Sequence, residues 1–262
     1  MNALRAAWLT TLVPALCAQT ASVNDLVAAQ RKQIESADFR AVGHLVAVDS
    51  GGARTSYPIT IEGHWFPGVL RMRLEAADTP KTGLDSLVRA RVVTRALLEL
   101  RPNGQNAIWV AHRGDKSAAG LPFAKWNDGI LGSGFSYEDF LEQQYFWPEQ
   151  TIEGQQKFGA RDCEVLKSTP GAAGKTHYAQ VKSWIDPSIG FAVYSEKTVK
   201  ESGAVKEFTS YGLRKEQGQW SAHQIEVKLR GQAGSTLLIV DRGSVKANLT
   251  AADFSPALLT KF

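Results

Sequence analysis

The chain has 262 residues, of which 44% are hydrophobic and 21% are charged. These proportions are typical of a folded globular protein and exclude a disordered, collagen-like or disulfide-scaffold chain. Thirty basic against 26 acidic residues give a formal charge of +4, an excess too small and too dispersed to indicate a nucleic-acid-binding protein. The length fits one larger domain, and no linker, repeat or low-complexity tract divides it.

The first 18 residues have the pattern of a secretory signal peptide. Arg5 precedes an apolar run that is too short to span a bilayer, and small residues follow around Cys17. We therefore predict a cleaved signal over residues 1–18, a single domain over residues 19–262 and a soluble, periplasmic mature protein. A buried first helix is the alternative interpretation of this segment.

The two cysteines raise the questions of lipid anchoring and of a disulfide. Leu16 stands directly before Cys17, where a lipoprotein signal has a small residue, so we predict no lipid anchor at Cys17. Cleavage of the signal leaves Cys163 as the single cysteine, and no intramolecular disulfide is then expected. Cys163 falls in an alternating stretch without a neighbouring base, which is typical of a buried inert thiol.

The first predicted element of the mature chain is a helix over residues 24–37. Asn24 is a suitable N-cap, and Asp25 lies where the helix dipole favours an acidic residue. The predicted buried side of this helix consists of Leu26, Val27, Gln30, Ile34 and Ala37.

After Asp38 the hydrophobic pattern changes from helical to alternating. Three stretches, 69–76, 88–101 and 223–230, alternate strictly and are predicted strands with one wet face. Residues 84–100 also fit a helix, but the turn at 101–104, which precedes a second apolar stretch at 107–110, favours a hairpin. Further strands are predicted at 39–49, 56–66, 151–158, 161–168, 177–186, 191–200, 204–213 and 235–241. We therefore predict a mainly β fold: one antiparallel sheet of about ten strands, strongly curved or closing into a barrel.

Two helical pieces interrupt this strand pattern. Ser136 and Asp139 have the spacing of a capping box, with Asp139 in place of the usual Glu. Residues 249–259 form a short terminal segment that we expect to pack back on the sheet.

The sequence contains no recognisable catalytic or metal-binding arrangement. The five histidines are scattered, with no pair at metal-ligand spacing on a helix. The Gly132-Ser133-Gly134 stretch lacks the outer glycines of a nucleophile elbow and the third glycine of a dinucleotide loop. We therefore predict that the protein is not an enzyme and binds no metal and no cofactor.

The C-terminal half carries a family resemblance. Residues 132–140 read GSGFSYEDF, which resembles the GSDFSYEDL signature of the LolA-like outer-membrane lipoprotein-sorting family, with Gly134 in place of its Asp. Tyr178 and Lys206 belong to further segments that resemble this family's motifs, at 159–166, 178–186, 205–206, 218–220 and 253–259. The resemblance covers roughly residues 125–262 and extends to the N-terminal third only in pattern.

This resemblance implies a half-open antiparallel β-barrel with a helical lid over an apolar cavity. It also implies a periplasmic carrier or chaperone that binds acyl chains of lipoproteins or other envelope lipids, in outer-membrane lipoprotein sorting or lipid transport. The alternative is an envelope sensor or docking protein of the same fold that binds a protein partner and carries no lipid. The expected partners are acyl chains and envelope proteins of either membrane, with transient membrane contact, no nucleic acid and a monomeric state.

The predicted acyl-chain site rests on apolar strand faces and on the signature block, because large apolar side chains on a curved sheet can shelter a lipid. Its candidate residues are Leu70, Met72, Leu74, Val92, Leu98, Trp109, Phe135, Tyr137 and Phe140. A row of arginines on the opposite strand faces is either a solvated outer surface or a surface for anionic lipid headgroups. This row consists of Arg71, Arg73, Arg89, Arg91 and Arg95.

Overall fold

The computed structural model describes residues 21–78, 91–172 and 174–262. The predicted signal peptide, Cys17 and Arg89 lie outside the described residues, as does the start of the predicted 88–101 strand. Within the described ranges, no helix is long and apolar enough to cross a membrane.

The first element is the α-helix α1 (Val23–Glu35). Its N-cap is Ser22, so the prediction of Asn24 as the cap is wrong. The reason is a reciprocal capping box, in which the Asp25 N–H donates to Ser22 Oγ and the Ser22 N–H donates to the Asp25 carboxylate, each at 3.2 Å. The hydrogen bonds from Ser22 lower the pKa of Asp25. The buried side of α1 consists of Leu26, Val27, Gln30 and Ile34, as the periodicity predicts, whereas the predicted Ala37 is buried just beyond the end of the helix at Glu35.

Thirteen strands follow in the described residues, each antiparallel to its neighbours. Every predicted strand is present, although several ends differ by a few residues, and the two-residue strand β6 was not predicted. The strands are β1 (Asp38–Val48), β2 (Arg54–Phe66), β3 (Val69–Asp78), β4 (Arg91–Leu100), β5 (Ala107–His112), β6 (Ala119–Gly120), β7 (Glu149–Phe158), β8 (Arg161–Thr169), β9 (Tyr178–Asp186), β10 (Phe191–Val199), β11 (Val205–Glu216), β12 (Gln219–Leu229) and β13 (Ser235–Ser244).

These strands form one continuous sheet in the order β6-β5-β4-β3-β2-β1-β13-β12-β11-β10-β9-β8-β7. The N-terminal and C-terminal halves are each a meander, and the β1–β13 pair joins them. Strands β6 and β7 are the edges of the described sheet, and no ladder there connects them. The mainly β, unclosed barrel is therefore confirmed, and the β4–β5 pairing confirms the hairpin.

The two faces of the curved sheet are covered by different segments. The concave face packs on α1 and on residues 121–147, which we call the plug, in one core that includes Leu98. The convex face of β3–β5 is covered by the C-terminal segment, as predicted, because Phe254 and Leu259 pack on Leu97. Leu97 and Leu98 thus serve different clusters, as the alternation of side chains along a strand requires.

The seam between the two halves depends on a glycine. The β1–β13 register shifts between Val42 and Gly43, which marks a β-bulge. A Cβ atom built at Gly43 would overlap the backbone carbonyl oxygen of Ile239 on β13. The absence of a side chain at Gly43 therefore permits the close approach of β1 and β13.

We expect Gly43→Ala to lower the free energy of unfolding by about 2 kcal/mol or more, because the added methyl group pushes β1 away from β13. Urea denaturation followed by circular dichroism measures the change. Gly120→Ala is the matched control, since nothing lies within 4 Å of a Cβ atom there. Equal stability of Gly43→Ala and the wild type would contradict the requirement for close contact at the seam.

Candidate functional site

The plug fills much of the concave face of the sheet. Trp126, Ile130 and Leu141 of the plug are almost completely buried against the sheet. The helical parts of the plug are short 3-10 turns, namely Phe123–Lys125, Ile130–Gly132, Glu138–Leu141 and Gln143–Phe146. The cover of the sheet is therefore a packed insert of single turns together with α1.

The Asp139 carboxylate is buried at the base of the plug. Ser136 donates to it from its backbone N–H and from its hydroxyl, both at 2.8 Å, and the Tyr178 hydroxyl donates at 2.5 Å. The Lys206 ammonium group donates to the same carboxylate from β11, and Lys197 Nζ on β10 lies 3.5 Å from it. Asp139 therefore compensates two ammonium groups that are themselves largely buried.

The pKa of Asp139 reflects these neighbours. Burial by itself would raise the pKa of this carboxyl, but the charges of Lys206 and Lys197, with hydrogen bonds from Lys206 and Tyr178, lower it to about 2. Burial and the adjacent Asp139 raise the pKa of Tyr178 well above its usual value. At neutral pH the carboxylate is therefore ionised, and the Tyr178 hydroxyl keeps the proton that it donates.

The carboxylates of Asp139 and of the neighbouring Glu138 are two buried anchors, which hold the plug to the sheet. The Glu138 carboxylate accepts hydrogen bonds from the Thr176 hydroxyl (2.5 Å), the His177 backbone N–H (3.1 Å) and the Gln143 side-chain amide (2.9 Å). His177 Nδ1 lies 2.7 Å from the same group. The Asn106 amide, in the β4–β5 turn, donates in turn to Gln143 Oε1 (2.8 Å). The Glu138 network thus ties the plug to both halves of the sheet.

The residues that carry the family resemblance therefore meet in space. Asp139 of the signature block contacts Tyr178 and Lys206 from two later segments of the resemblance. Sequence analysis did not predict these contacts and missed Lys197 altogether. One available signal was Lys206, which shares an inward-facing strand side with the buried Phe208.

An open groove of about 630 Å³ lies between the plug and the adjoining ends of β4 and β5. We call it the β5 groove. Its volume is within the range of roughly 300–1,000 Å³ that small-molecule pockets occupy. Thr94 Oγ1 and His112 Nδ1, which lie 3.1 Å apart, supply polar atoms to its lining. Its apolar walls are formed by Val93, Val110, Leu121, Leu131 and Tyr137.

Three charged residues border the β5 groove: Arg113, Lys125 and Asp128. Arg113 Nε donates to the Val92 carbonyl oxygen (2.9 Å). Burial raises the pKa of Tyr137, and the negative charge of Asp128 raises it further. All three charged side chains are solvent-exposed, so the groove combines apolar walls with a charged margin.

A second open groove, of about 690 Å³, lies between α1 and the end of the plug. Its lining is more polar, and its Arg31 is already engaged by the Tyr145 carbonyl oxygen (2.8 Å) and by the ring of Phe146. Across the described ranges, no group of three His, Cys, Asp or Glu residues is arranged to hold a metal ion. Burial and the nearby Asp186 raise the pKa of the Cys163 thiol to about 11, so the thiol is protonated at neutral pH.

Most of the predicted acyl-site residues share the concave core. The members from the sheet and the plug that are buried in it are Leu70, Met72, Leu74, Leu98, Phe135 and Tyr137. Phe140 is half-buried against the same core and lies 5.8 Å, between ring centroids, from Phe135. Of the predicted residues, Tyr137 also lines the β5 groove.

Trp109 and Val92 are not part of this concave cluster. Trp109 lies directly opposite Leu97 in the β4–β5 register and packs with Leu97 in the convex cluster, because cross-strand partners share a face. Val92 precedes a register shift between β3 and β4, and the adjacent Val93 lines the β5 groove instead. Trp109 and Leu98 therefore belong to clusters on opposite faces of the sheet.

Three arginines of the row form ion pairs across the sheet. The pairs include Arg71–Glu99 (2.9 Å), Arg73–Glu62 (2.6 Å) and Arg95–Glu75 (3.0 Å). Arg73 and Arg95 also donate to carbonyl oxygens of the C-terminal segment. These contacts engage three arginines of the row, whereas Arg91 is exposed, and a headgroup surface at the row stays a prediction.

Comparison with solved structures defines the class of fold. The chain is similar to a Vibrio parahaemolyticus domain described as outer membrane lipoprotein-sorting, with a TM-score of 0.75, 16% identity and coverage of 91% of this chain and 99% of that domain. It is similar to a DUF1329 family protein from Desulfovibrio piger, with a TM-score of 0.74, 16% identity and coverage of 91% of this chain and 98% of that protein. It is also similar to a LolA superfamily protein from Nitrosomonas europaea, with a TM-score of 0.63, 12% identity and coverage of 90% of this chain and 98% of that protein. The chain therefore has a LolA-like fold, as the sequence resemblance implied.

The family is defined by sequence. A family model with the description "Uncharacterized protein" matches residues 94–261, and the chain belongs to that family. Comparison with curated proteins finds no match.

The buried anchor yields a stability prediction. We expect Asp139→Asn to lower the free energy of unfolding by about 3–5 kcal/mol at pH 7, because Lys206 and Lys197 lose their compensating charge. Urea denaturation measures the loss. Asp128→Asn, at an exposed position, should leave stability unchanged within about 0.5 kcal/mol.

The difference in stability between the wild type and Asp139→Asn should also depend on pH. The pKa of Asp139 falls on folding from its usual 3.8 to about 2, so its contribution to stability is complete above about pH 4 and is lost as the pH falls towards 2. The difference in stability between wild type and Asp139→Asn should therefore shrink by about 2 kcal/mol over that range. A difference that stays constant from pH 5 to pH 2 would contradict the assignment of Asp139 as the ionised anchor.

Proposed function

We propose that this protein is a non-enzymatic carrier of the envelope that binds an acyl chain of a lipid or lipoprotein. The acyl chain would enter through the β5 groove and lie between the plug and the concave face of the sheet. The observation that carries the proposal is this groove, because its lining residues Leu121, Leu131 and Tyr137 also pack in the apolar core. The LolA-like fold supports a role in lipoprotein sorting or binding.

The energetics of acyl burial favour such a site. Each buried methylene group contributes about 0.8 kcal/mol, so a chain needs only a modest apolar trough to bind with useful affinity. The concave core contributes further apolar surface beyond the groove, including Leu98 and Phe135. A chain that penetrates beyond the open groove must displace plug side chains from this surface.

The tip of the plug is suited to that displacement. Leu131 has φ 52° and ψ 29°, and the adjacent Gly132 has φ 76°, so both central residues of the Ile130–Ser133 turn have left-handed backbone conformations. For a leucine this conformation costs roughly 1–2 kcal/mol. The strained Leu131 side chain covers apolar surface at the groove, and an acyl chain would replace it there.

The first test is native mass spectrometry, with organic extraction, of the mature protein purified without detergent from a periplasmic fraction. We expect a stoichiometric acyl-containing species to accompany the protein. A ligand-free mass, with no uptake when lipid is offered, would overturn the carrier proposal. It would favour the docking or sensor function, in which the filled concave core serves only to hold the fold.

A variant at the plug tip tests the proposed path. Leu131→Asn should keep the free energy of unfolding within about 1 kcal/mol of wild type, because Asn tolerates the left-handed conformation and offsets the lost apolar contact. Its affinity for a fluorescent palmitoyl probe should fall about tenfold, since one apolar wall of the groove is removed.

The matched control is Tyr211→Asn, which removes an exposed aromatic side chain on β11, outside the groove lining. Its affinity for the palmitoyl probe should equal that of the wild type. Unchanged affinity in Leu131→Asn, with binding intact in the wild type, would remove the plug tip from the acyl path.

A further inference from the structure

The charged residues at the margin of the β5 groove differ from the arginine row in their ion pairing. The structure gives Arg71, Arg73 and Arg95 carboxylate partners. Among the described residues, neither Arg113 nor Lys125 has a carboxylate within ion-pair distance, and Asp128 has no cation within that distance. Two cations and one carboxylate that form no ion pair with the described residues thus border the same apolar groove.

Arg113 is held in place without being neutralised. Its backbone N–H donates to the Val93 carbonyl oxygen (2.9 Å), and its Nε donates to the Val92 carbonyl oxygen (2.9 Å). The ring of Phe262 lies 5.4 Å from the guanidinium carbon. These contacts use the backbone, Nε and one face of the group, so its two terminal nitrogens have no partner among the described residues. A guanidinium oriented in this way suits an oxyanion.

Lys125 and Asp128 of the plug line the same groove as Arg113, which follows β5. A simple anion would be attracted by Arg113 and Lys125 but repelled by Asp128. A phosphodiester that also carries an amine places charges of the opposite sign beside all three groups. The apolar walls formed by Val110, Leu121 and Leu131 would hold an attached acyl chain.

Resting on the proposed acyl-binding function, we infer that the β5 groove selects lipids with a zwitterionic, amine-bearing phosphodiester headgroup. The phosphate lies between Arg113 and Lys125, and the amine lies towards Asp128. The ligand class is thus a phosphoethanolamine-type lipid, whereas a lipoprotein acyl chain without phosphate uses only the apolar walls.

Isothermal titration of the full mature chain with three single-chain lipids below their micelle concentrations tests this inference. The probes share a palmitoyl chain and are lysophosphatidylethanolamine, lysophosphatidylglycerol, which lacks the amine, and monopalmitoylglycerol, which lacks the phosphate. The amine-bearing phospholipid should bind about tenfold more tightly than monopalmitoylglycerol, since charge-assisted hydrogen bonds supply the difference. Lysophosphatidylglycerol should bind with intermediate affinity.

Variants of the three charged residues test which part of the headgroup each of them binds. The double variant Arg113→Gln/Lys125→Gln should lose the tenfold preference for phospholipid while binding monopalmitoylglycerol as the wild type does. Asp128→Asn should abolish the difference between the amine-bearing and amine-free phospholipids. The charge-matched control Lys215→Gln/Arg242→Gln changes exposed cations outside the groove lining and should preserve all three affinities.

The outcomes separate this inference from the proposed function. Equal wild-type affinity for all three lipids, or a preference that survives in the double variant, would overturn the headgroup inference and leave acyl binding intact. Failure to bind any of the three lipids would overturn the proposed function itself. Displacement of the lipid by equimolar inorganic phosphate would identify a free phosphate site and would also overturn the inference.

Discussion

The buried contact between Asp139 and two lysines determines where the plug lies. Lys197 and Lys206 come from neighbouring strands, whereas Asp139 comes from the plug, so the contact joins elements that are distant in sequence. Removing these charges from water is costly unless their partners are in place. Any displacement of this part of the plug would leave ammonium groups buried and unpaired. The ionic contact therefore favours one position of the plug on the sheet, and hydrophobic contacts alone would discriminate positions less sharply.

The anchoring of the plug is uneven. Its second part, from Ser136 to Gln143, is held by the networks of Asp139 and Glu138. Its earlier tip carries a strained leucine, and the open β5 groove lies beside that tip. A ligand that moves the tip would disturb apolar contacts and a strained turn, which is far less costly than separating buried charges. The plug therefore has a part from Ser136 to Gln143 that buried charges hold in place, and a tip at Leu131 that a ligand could displace at lower cost.

Charge serves two purposes in this molecule. On the convex face and beneath the plug, arginines and lysines are paired with carboxylates and hold segments to the sheet. At the margin of the β5 groove, exposed charges border apolar walls, and Arg113 is oriented by a backbone carbonyl oxygen. Paired charges in a folded core have little capacity to bind a ligand, because their hydrogen-bonding groups are already satisfied. The charges at the groove, which form no ion pair within the described part of the chain, retain that capacity.

The amino-acid sequence by itself determined the elements of this fold. Period-two alternation and turn residues predicted the strands of both halves, and the β4–β5 hairpin was chosen correctly over a helix. The packing of the C-terminal segment also followed from its apolar residues. These properties are local, since they depend on backbone preference and on side-chain alternation along single strands. The resemblance pointed to the LolA-like fold for the same reason, because several short segments such as residues 132–140 carried it.

Only the tertiary structure decided what those residues do. Leu97 and Leu98 are equally apolar, yet the register and the covering segments place them in different clusters, and Trp109 follows Leu97. The arginine row had the composition of a headgroup site, but carboxylates and carbonyl oxygens elsewhere in the fold engage Arg71, Arg73 and Arg95. The contact of Asp139 with Lys197 spans 58 residues of sequence. Such contacts depend on strand order and sheet curvature, which arise from the whole chain, and for this reason no local pattern in the sequence reveals them.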